Sequence, residues 1–257
     1  MSVGLSRKAA ILWKAIKILK NWPVFVKLYF HKINSEYVVL ETRKGIKIKL
    51  RVDSTDLMAF TNVWLVEEYQ KTDSCIKYED VVIDIGAHIG LFALYASQFC
   101  KAGKIFCFEP IKENFDMMIS NIELNRISNV YSTNAAVSVD NNIVSIYLNE
   151  DQAGHSMHQG SPKKIQVRSV SLKNIFDSNS IEKCDFLKID CEGEEYSIMS
   201  ALPDSYYSRI KKIFIEYHLA DARPQLLREL ISKLQIFGFK TVQTETTSNM
   251  GLLYASK

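Results

Sequence analysis

Two rhythms of apolar and polar positions run along this chain. From residue 80 onward, short runs of β-branched and aromatic residues alternate with stretches of helical period, the order expected of an open parallel sheet covered on both faces. The runs predict strands at 81–85, 104–108, 130–136, 185–190, 212–217, 239–244 and 251–255. Helices are predicted at 89–100, 112–125, 194–201 and 223–236, with a β-rich excursion over 143–169. Only the six residues ETTSNM separate the last two strands. A parallel crossover needs a dozen or more, so that pair is antiparallel. The fold class is therefore α/β, a seven-stranded, mostly parallel sheet with one reversed strand and helices on both faces.

Ahead of residue 80 the pattern changes. EYVVLETRKGIKIKLRV (36–52) reads as two short strands about the Lys44-Gly45 turn, followed by a helix from Ser54 or Thr55 to about Gln70. In the first segment Ile11, Leu12, Ala15, Ile16, Ile18 and Leu19 fall on one helical arc, with Lys14, Lys17 and Lys20 opposite. Three regions follow: a basic amphipathic helix over 1–35, accessory strands and a helix capping the sheet over 36–79, and a core over 80–257.

Charge sharpens the view of the first region. Residues 1–35 hold seven Lys/Arg and no acid, leaving 25 of the 32 basic residues against all 29 acidic ones in the body. Two readings of the helix stand: a cover packed on the domain or on a second subunit, or contact with an anionic membrane surface. No run approaches the length of an apolar membrane span, and no secretory signal is recognisable. The five cysteines, Cys75, Cys100, Cys107, Cys184 and Cys191, contain no CxxC pair. Reduced thiols in a cytoplasmic protein, peripheral at the inner membrane face on the second reading, are expected.

The candidate chemistry begins at VVIDIGAHIG (81–90). A dinucleotide loop carries GxGxxG so that backbone can approach a pyrophosphate. Here His88 stands at the middle glycine, where its side chain would crowd that group, and no Gly-Lys-Ser/Thr follows to make a P-loop. The pattern is Asp84, a turn glycine at Gly86, and Gly90 where the helix's first turn passes close to a ligand. Glu109, at the end of the next strand and 19 residues after Gly90, is placed to accept hydrogen bonds from both hydroxyls of a ribose. A nucleoside without a pyrophosphate fits this spacing.

VVIDIGAHIGLFALYAS, FCFEPIKENFDMMISNIELN, NAAVS, VRSVSL, DFLKIDCEGEEY and IFIEYH, in that order, resemble the FkbM family of class I S-adenosylmethionine-dependent methyltransferases over roughly residues 40–255. The resemblance implies a Rossmann-like fold, S-adenosylmethionine as cofactor, and methyl transfer most often to a hydroxyl of a sugar, glycan, lipid or secondary metabolite. It implies that Asp84, Gly86, His88 and Gly90 line the methionine end and adenosine bridge and that Glu109 holds the ribose. Asn114 and the Asn134-Ala135-Ala136 segment would lie beside the adenine or its neighbours. The loop AGHSMH (153–158) departs from the family's usual Gly-Ser-Ser-Leu-like run.

For an alcohol acceptor the chain must supply positioning and a base. KIDCEGEEY delivers Asp190, Glu192 and Glu195 near the end of the fourth parallel strand, Asp190 also touching the cofactor side. Glu192 and Glu195 are expected to point into the acceptor cleft. IEYH brings Glu216 and His218 to one face of the neighbouring strand by alternation, and the unperturbed pKa of an imidazole suits a base near neutral pH. Asp190, Glu192 and His218 are thus the catalytic candidates. No metal site is assigned: His155 and His158 have i, i+3 spacing but no third ligand nearby, while a divalent ion on Asp190, Glu192 and His218 stays open. Glu194 and Glu195 also suit a helix N-terminus, where carboxylates are stabilised.

Two other functions remain in view: a nucleotide-dependent oxidoreductase, which lacks its middle glycine, and a non-catalytic binding subunit, against which the intact Asp84, Glu109 and Asp190 weigh. The acidic body argues against a nucleic-acid substrate. A small-molecule, glycan or lipid-linked acceptor and a homo-oligomeric state are the expected partners.

Overall fold

The structure, a computed structural model, describes residues 5–69, 75–147 and 163–257. The expected loop around His155 and His158 lies outside the described residues. Two helices open the chain, α1 (Leu5–Ile18) and α2 (Trp22–Tyr29), where the apolar pattern suggested one. Pro23 sits in the first turn of α2, where its missing N–H costs nothing, whereas inside a continuous helix it would break the ladder. A hairpin follows, β1 (Tyr37–Glu41) and β2 (Lys47–Arg51), pairing Val38 with Leu50 and Leu40 with Ile48. Next, α3 (Asp56–Phe60) runs into a π-helical turn, Thr61–Val66, and ends at Glu67 with φ +58°, short of the helix expected to reach Gln70.

The main sheet begins with β3 (Val81–Ile85), α4 (Leu91–Ala96), β4 (Lys104–Phe108), α5 (Lys112–Leu124) and β5 (Val130–Thr133). The chain then leaves it for a three-stranded sheet of β6 (Ala136–Ser138), β7 (Ile143–Tyr147) and β8 (Lys164–Ser171). The single strand expected over 130–136 is thus divided, its last residue pairing with β8. After α6 (Leu172–Ser178) come β9 (Phe186–Asp190), α7 (Glu195–Ala201), α8 (Asp204–Tyr207), β10 (Lys212–Tyr217), α9 (Pro224–Ile236), β11 (Lys240–Glu245) and β12 (Gly251–Ser256). The order across the seven-stranded sheet is β11-β12-β10-β9-β3-β4-β5, and β12 alone runs against its neighbours. Strand order reverses between β3 and β9, the point at which open α/β sheets bind ligands beyond their carboxyl ends.

Two apolar clusters cover the sheet's faces. One joins Ala15, Leu19, Leu40, Phe60 and Trp64 to Phe92, Met118 and Phe186; the other holds Ile83, Phe176, Ile189 and Leu253. The two opening helices, the hairpin and α3 therefore share a core with the sheet. α1 buries Ala15 in it, as does Leu19 just beyond its end, but leaves Leu12, Trp13 and Ile16 exposed. The hairpin is joined to α5 by two asparagines acting as a surrogate strand: Asn121 and Asn125 each accept a backbone N–H of β2 and donate back to its carbonyl oxygens. Asn121 also donates to the Ile89 carbonyl at 3.0 Å, tying the accessory hairpin to the glycine loop. Among the described residues no helix is long and apolar enough to cross a membrane.

Candidate active site

The loop after β3 is pinned where it leaves the sheet. The N–H groups of Gly86 and Ala87 both donate to the Phe108 carbonyl at 3.0 Å, binding the loop to the tip of β4. Three residues here have left-handed backbone: Gly86 (φ +74°), His88 (φ +51°) and Gly90 (φ +82°). For His88 that conformation costs about 1–2 kcal/mol, met by the contacts that hold it. Its N–H donates to Glu109 Oε2 at 2.8 Å. Its ring nitrogen Nε2 lies 3.2 Å from an Arg51 guanidinium nitrogen and 3.6 Å from Asp56 Oδ1. Burial lowers the imidazole to about 4 despite the Asp56 carboxylate, so the ring is neutral. Asp56 in turn takes the Arg51 side chain at 2.7 and 3.0 Å and its N–H at 2.9 Å.

The close approach expected at Gly90 is an approach to protein: a Cβ there would lie 2.9 Å from Met118 of α5. At Gly86 a Cβ would lie 1.8 Å from the Asp190 carbonyl oxygen. Both glycines therefore serve first to bring this loop hard against α5 and the tip of β9.

Glu109, 5% exposed, accepts the N–H groups of His88 (2.8 Å) and Ile111 (2.9 Å), one on each oxygen. Burial pushes its carboxyl up to about 7, and the hydrogen bonds from Ile111, His88 and the Asn114 side chain only partly offset this. A carboxylate has about four lone-pair directions, so acceptor capacity remains for ligand hydroxyls. Asn114 thus braces the acid. Ala135 is fully enclosed in the apolar cluster; it is the neighbouring Asn134 that meets this site, donating to the Glu109 and Pro110 carbonyls at 2.9 and 3.0 Å.

Lys188 links the loop to the other half of the site. Its ammonium lies 3.0 Å from Asp84 Oδ1 and from the Gly86 carbonyl, and 3.8 Å from Asp190 Oδ2. Burial would strip the proton from Lys188, but the two carboxylates outweigh burial and hold its pKa above the ordinary value. Asp84 Oδ2 is buried with no hydrogen-bond partner.

Beyond β9 and β10 the chain again turns through left-handed residues, Glu192 (φ +53°), Gly193 (φ +109°) and Leu219 (φ +57°). Such conformations persist where surrounding contacts over-determine them, and they concentrate at functional sites. The organiser is Glu195, fully buried at the start of α7. It accepts the N–H groups of Gly193 (2.8 Å) and His218 (2.6 Å) and lies 3.3 Å from His218 Nδ1. Its expected place in the acceptor cleft is corrected: Glu195 is fully buried, and its described hydrogen bonds run to Gly193 and His218. Glu194 is buried too, accepting Ser138 Oγ.

Asp190, Glu192 and His218 do come together, with one ligating atom from each within 4.8 Å of the others. His218 Nε2 lies 3.6 Å from Glu192 and 3.9 Å from Glu216. Burial alone would lower this imidazole, yet the Glu195 hydrogen bond and the Glu192 charge raise it to about 10. The ring therefore carries a proton at neutral pH, which overturns the argument from an unperturbed histidine. Glu216 is also pushed up, to about 8, by burial and then by Asp190 and Glu68. Glu68, raised to about 7 by burial and Asp190, approaches this wall from the π-helical turn.

Sequence reasoning missed Arg51, Asp56, Lys188 and Glu68. Lys188 had a readable signal, a lysine at a position otherwise apolar in a central strand, FLKID. The other three lie in the accessory region, more than 15 residues before the glycine loop, where spacing carries no information about contact.

A family model described as the methyltransferase FkbM domain matches residues 84–241. The hexuronic acid methyltransferase AglP of Haloferax volcanii is 22% identical over 158 residues, covering 62% of this chain and 64% of its own length. The 31-O-demethyl-FK506 methyltransferase FkbM of Streptomyces tacrolimicus is 24% identical over 194 residues, 63% of this chain and 74% of its own. Among solved structures, the fibrillarin pre-rRNA processing protein of Methanococcus jannaschii superposes with a TM-score of 0.50 at 11% identity, covering 86% of this chain and 82% of that one. That likeness shows the class I methyltransferase fold.

Proposed function

The chain belongs to the FkbM methyltransferase family, and from that membership and the cleft geometry we propose an S-adenosylmethionine-dependent O-methyltransferase acting on a hydroxyl of a sugar, glycan, lipid or secondary metabolite. The observation that carries this reading is the meeting, at the sheet's switch point, of two unlike walls. One is the buried Glu109 cradle on β3 and β4; the other is the Asp190, Glu192, Glu216 and His218 cluster on β9 and β10. The printed names of the two relatives support an oxygen acceptor and a sugar-like one.

The residues present fit the cofactor. Glu109 has acceptor capacity for ribose hydroxyls, and the orphaned Asp84 Oδ2 suits a cationic donor such as the ammonium of a methionine end. Gly86, His88 and Gly90 shape the loop between them. When bound, S-adenosylmethionine supplies an electrophilic methyl group on a sulfonium. The chain's own share is to orient the acceptor hydroxyl and take its proton. Glu216, titrating near 8, is better matched to that task than an ordinary carboxylate, while the charged His218 and the Asp190 and Glu192 carboxylates orient the acceptor oxygen.

Calorimetry with S-adenosylhomocysteine, followed by an acceptor screen with labelled S-adenosylmethionine, tests this reading. Glu216→Gln is expected to keep product affinity and lose turnover by roughly 10²–10⁴-fold, as for loss of a general base. Glu192→Gln and His218→Ala should likewise spare affinity and impair turnover. Folded protein giving no heat with donor or product would overturn the proposal.

A further inference from the structure

We propose that Asp190, Glu192 and His218 Nε2 form a binding site for a divalent transition-metal cation, at which the acceptor oxygen is held. The proposal rests on the methyltransferase reading for its purpose but not for its geometry.

The argument starts from how His218 is fixed. The Glu195 carboxylate takes its N–H at 2.6 Å and faces its Nδ1 at 3.3 Å, and the Tyr196 hydroxyl donates to its carbonyl at 2.6 Å. Held at three points and nine-tenths buried, the residue presents Nε2 to the cleft. There it lies 3.6 Å from Glu192 and 3.9 Å from Glu216, too far for a hydrogen bond to either. An imidazole that gives one N–H to a buried carboxylate and turns its other nitrogen toward two further carboxylates has the arrangement of a metal-binding histidine, in which the outer carboxylate fixes tautomer and ring orientation.

The distances agree with a cation small enough to draw the group together. The ligand atoms lie within 4.8 Å of one another, His218 Nε2 and Glu192 at 3.6 Å, and bonds of about 2.0–2.2 Å would draw them to separations of roughly 3.0–3.5 Å, a movement that side-chain rotation of Glu192 and Asp190 supplies. One nitrogen and two carboxylate oxygens suit a first-row divalent ion with positions left for water and an acceptor oxygen. Lys188 meets this cluster only at Asp190 Oδ2, 3.8 Å away, its closer contacts being Asp84 Oδ1 and the Gly86 carbonyl at 3.0 Å. Binding displaces the proton on Nε2 to solvent, so each bound cation releases about one proton. The cation then polarises the acceptor hydroxyl, whose proton passes to Glu216.

The test uses the full chain, stripped with a chelator and titrated with MnCl₂ by calorimetry in two buffers of different ionisation enthalpy. S-adenosylhomocysteine affinity is measured on the same samples. One saturable Mn²⁺ site with proton release is expected, weakened at least tenfold in Glu192→Gln and roughly ten- to hundredfold in Glu195→Gln, whose carboxylate orients the ring. Both variants should keep their circular dichroism spectra and their product affinity; should Glu195→Gln misfold, Glu192→Gln at the half-exposed position decides alone. Product binding without saturable Mn²⁺ binding, or Mn²⁺ binding indifferent to Glu192→Gln, overturns the cation site and leaves the methyltransferase reading standing. Site-specific Mn²⁺ binding without product binding supports the site and removes that reading.

Discussion

Gly86→Ala, compared with Gly45→Ala, isolates the contact on which the two walls of the cleft depend. Both glycines have left-handed backbone, φ +74° and φ +86°, so both substitutions carry the same conformational penalty of about 1–2 kcal/mol. Both also gain the same small stabilisation from a stiffer unfolded chain. Their surroundings differ: a Cβ at Gly45 meets nothing within 4 Å, whereas at Gly86 it would lie 1.8 Å from the Asp190 carbonyl oxygen. That oxygen belongs to backbone at the end of a central strand, so the tip of β9 must retreat by about 1.6 Å to reach ordinary contact at 3.4 Å. Overpacking of this kind costs about 3 kcal/mol beyond the shared penalty. At ~2–4 °C per kcal/mol for a chain of this size, Gly86→Ala should melt roughly 6–12 °C below Gly45→Ala. Thermal unfolding followed by circular dichroism gives the stability difference, and calorimetry with S-adenosylhomocysteine reports whether the displaced tip damages the cofactor wall. Equal melting temperatures in the two variants, or a Gly86→Ala protein with undiminished stability, would refute the reasoning.

Three further outcomes are expected. In chelator-treated Glu195→Gln the His218 ring should titrate about one to two units below its starting value near 10, since a hydrogen bond to a charged group is worth ~1.5–3 kcal/mol; an unchanged NMR titration contradicts the orienting role of Glu195. Glu68, Glu109 and Glu216 all have folded pKa values raised from 4.5, to about 7, 7 and 8. Their stabilising protons are fully bound below about 4.5 and lost as pH rises through 7–8, so the urea midpoint should fall between pH 6 and 9 and fall less in Glu216→Gln; a midpoint that climbs over this range reverses the sign. Leu12, Trp13 and Ile16 are exposed on α1 in a segment without acids. Trp13→Ser with Ile16→Ser should therefore reduce co-sedimentation with phosphatidylserine vesicles, and equal binding would remove the membrane reading. Deleting residues 1–30 is the wrong perturbation, because Leu19, Phe25 and Leu28 belong to the core.

The sequence by itself determined the main sheet and the turn from β3 through Gly86 and Gly90, because both are written in local signals. Strands 81–85, 104–108 and 212–217 were read to the residue, since strands buried on both faces are unbroken apolar runs. The reversed β12 followed from a connection too short to cross over. Some local signals were passed by: α6 opens on Ser171, whose hydroxyl accepts the Asn174 N–H at 3.1 Å, an ordinary N-cap within the SLKN sequence.

Tertiary structure alone decided the electrostatics. That His218 is charged, that Glu216 is drawn toward neutral pH and that Glu195 faces inward depend on groups up to about 150 residues apart in sequence, Glu68 among them, meeting in a poorly solvated space. Residue type fixes an ordinary pKa, but its displacement is the sum of burial and of charges a few ångströms away. The same holds for His88, whose ring belongs to Arg51 and Asp56 of the accessory region because α5, through Asn121, holds that hairpin against the loop.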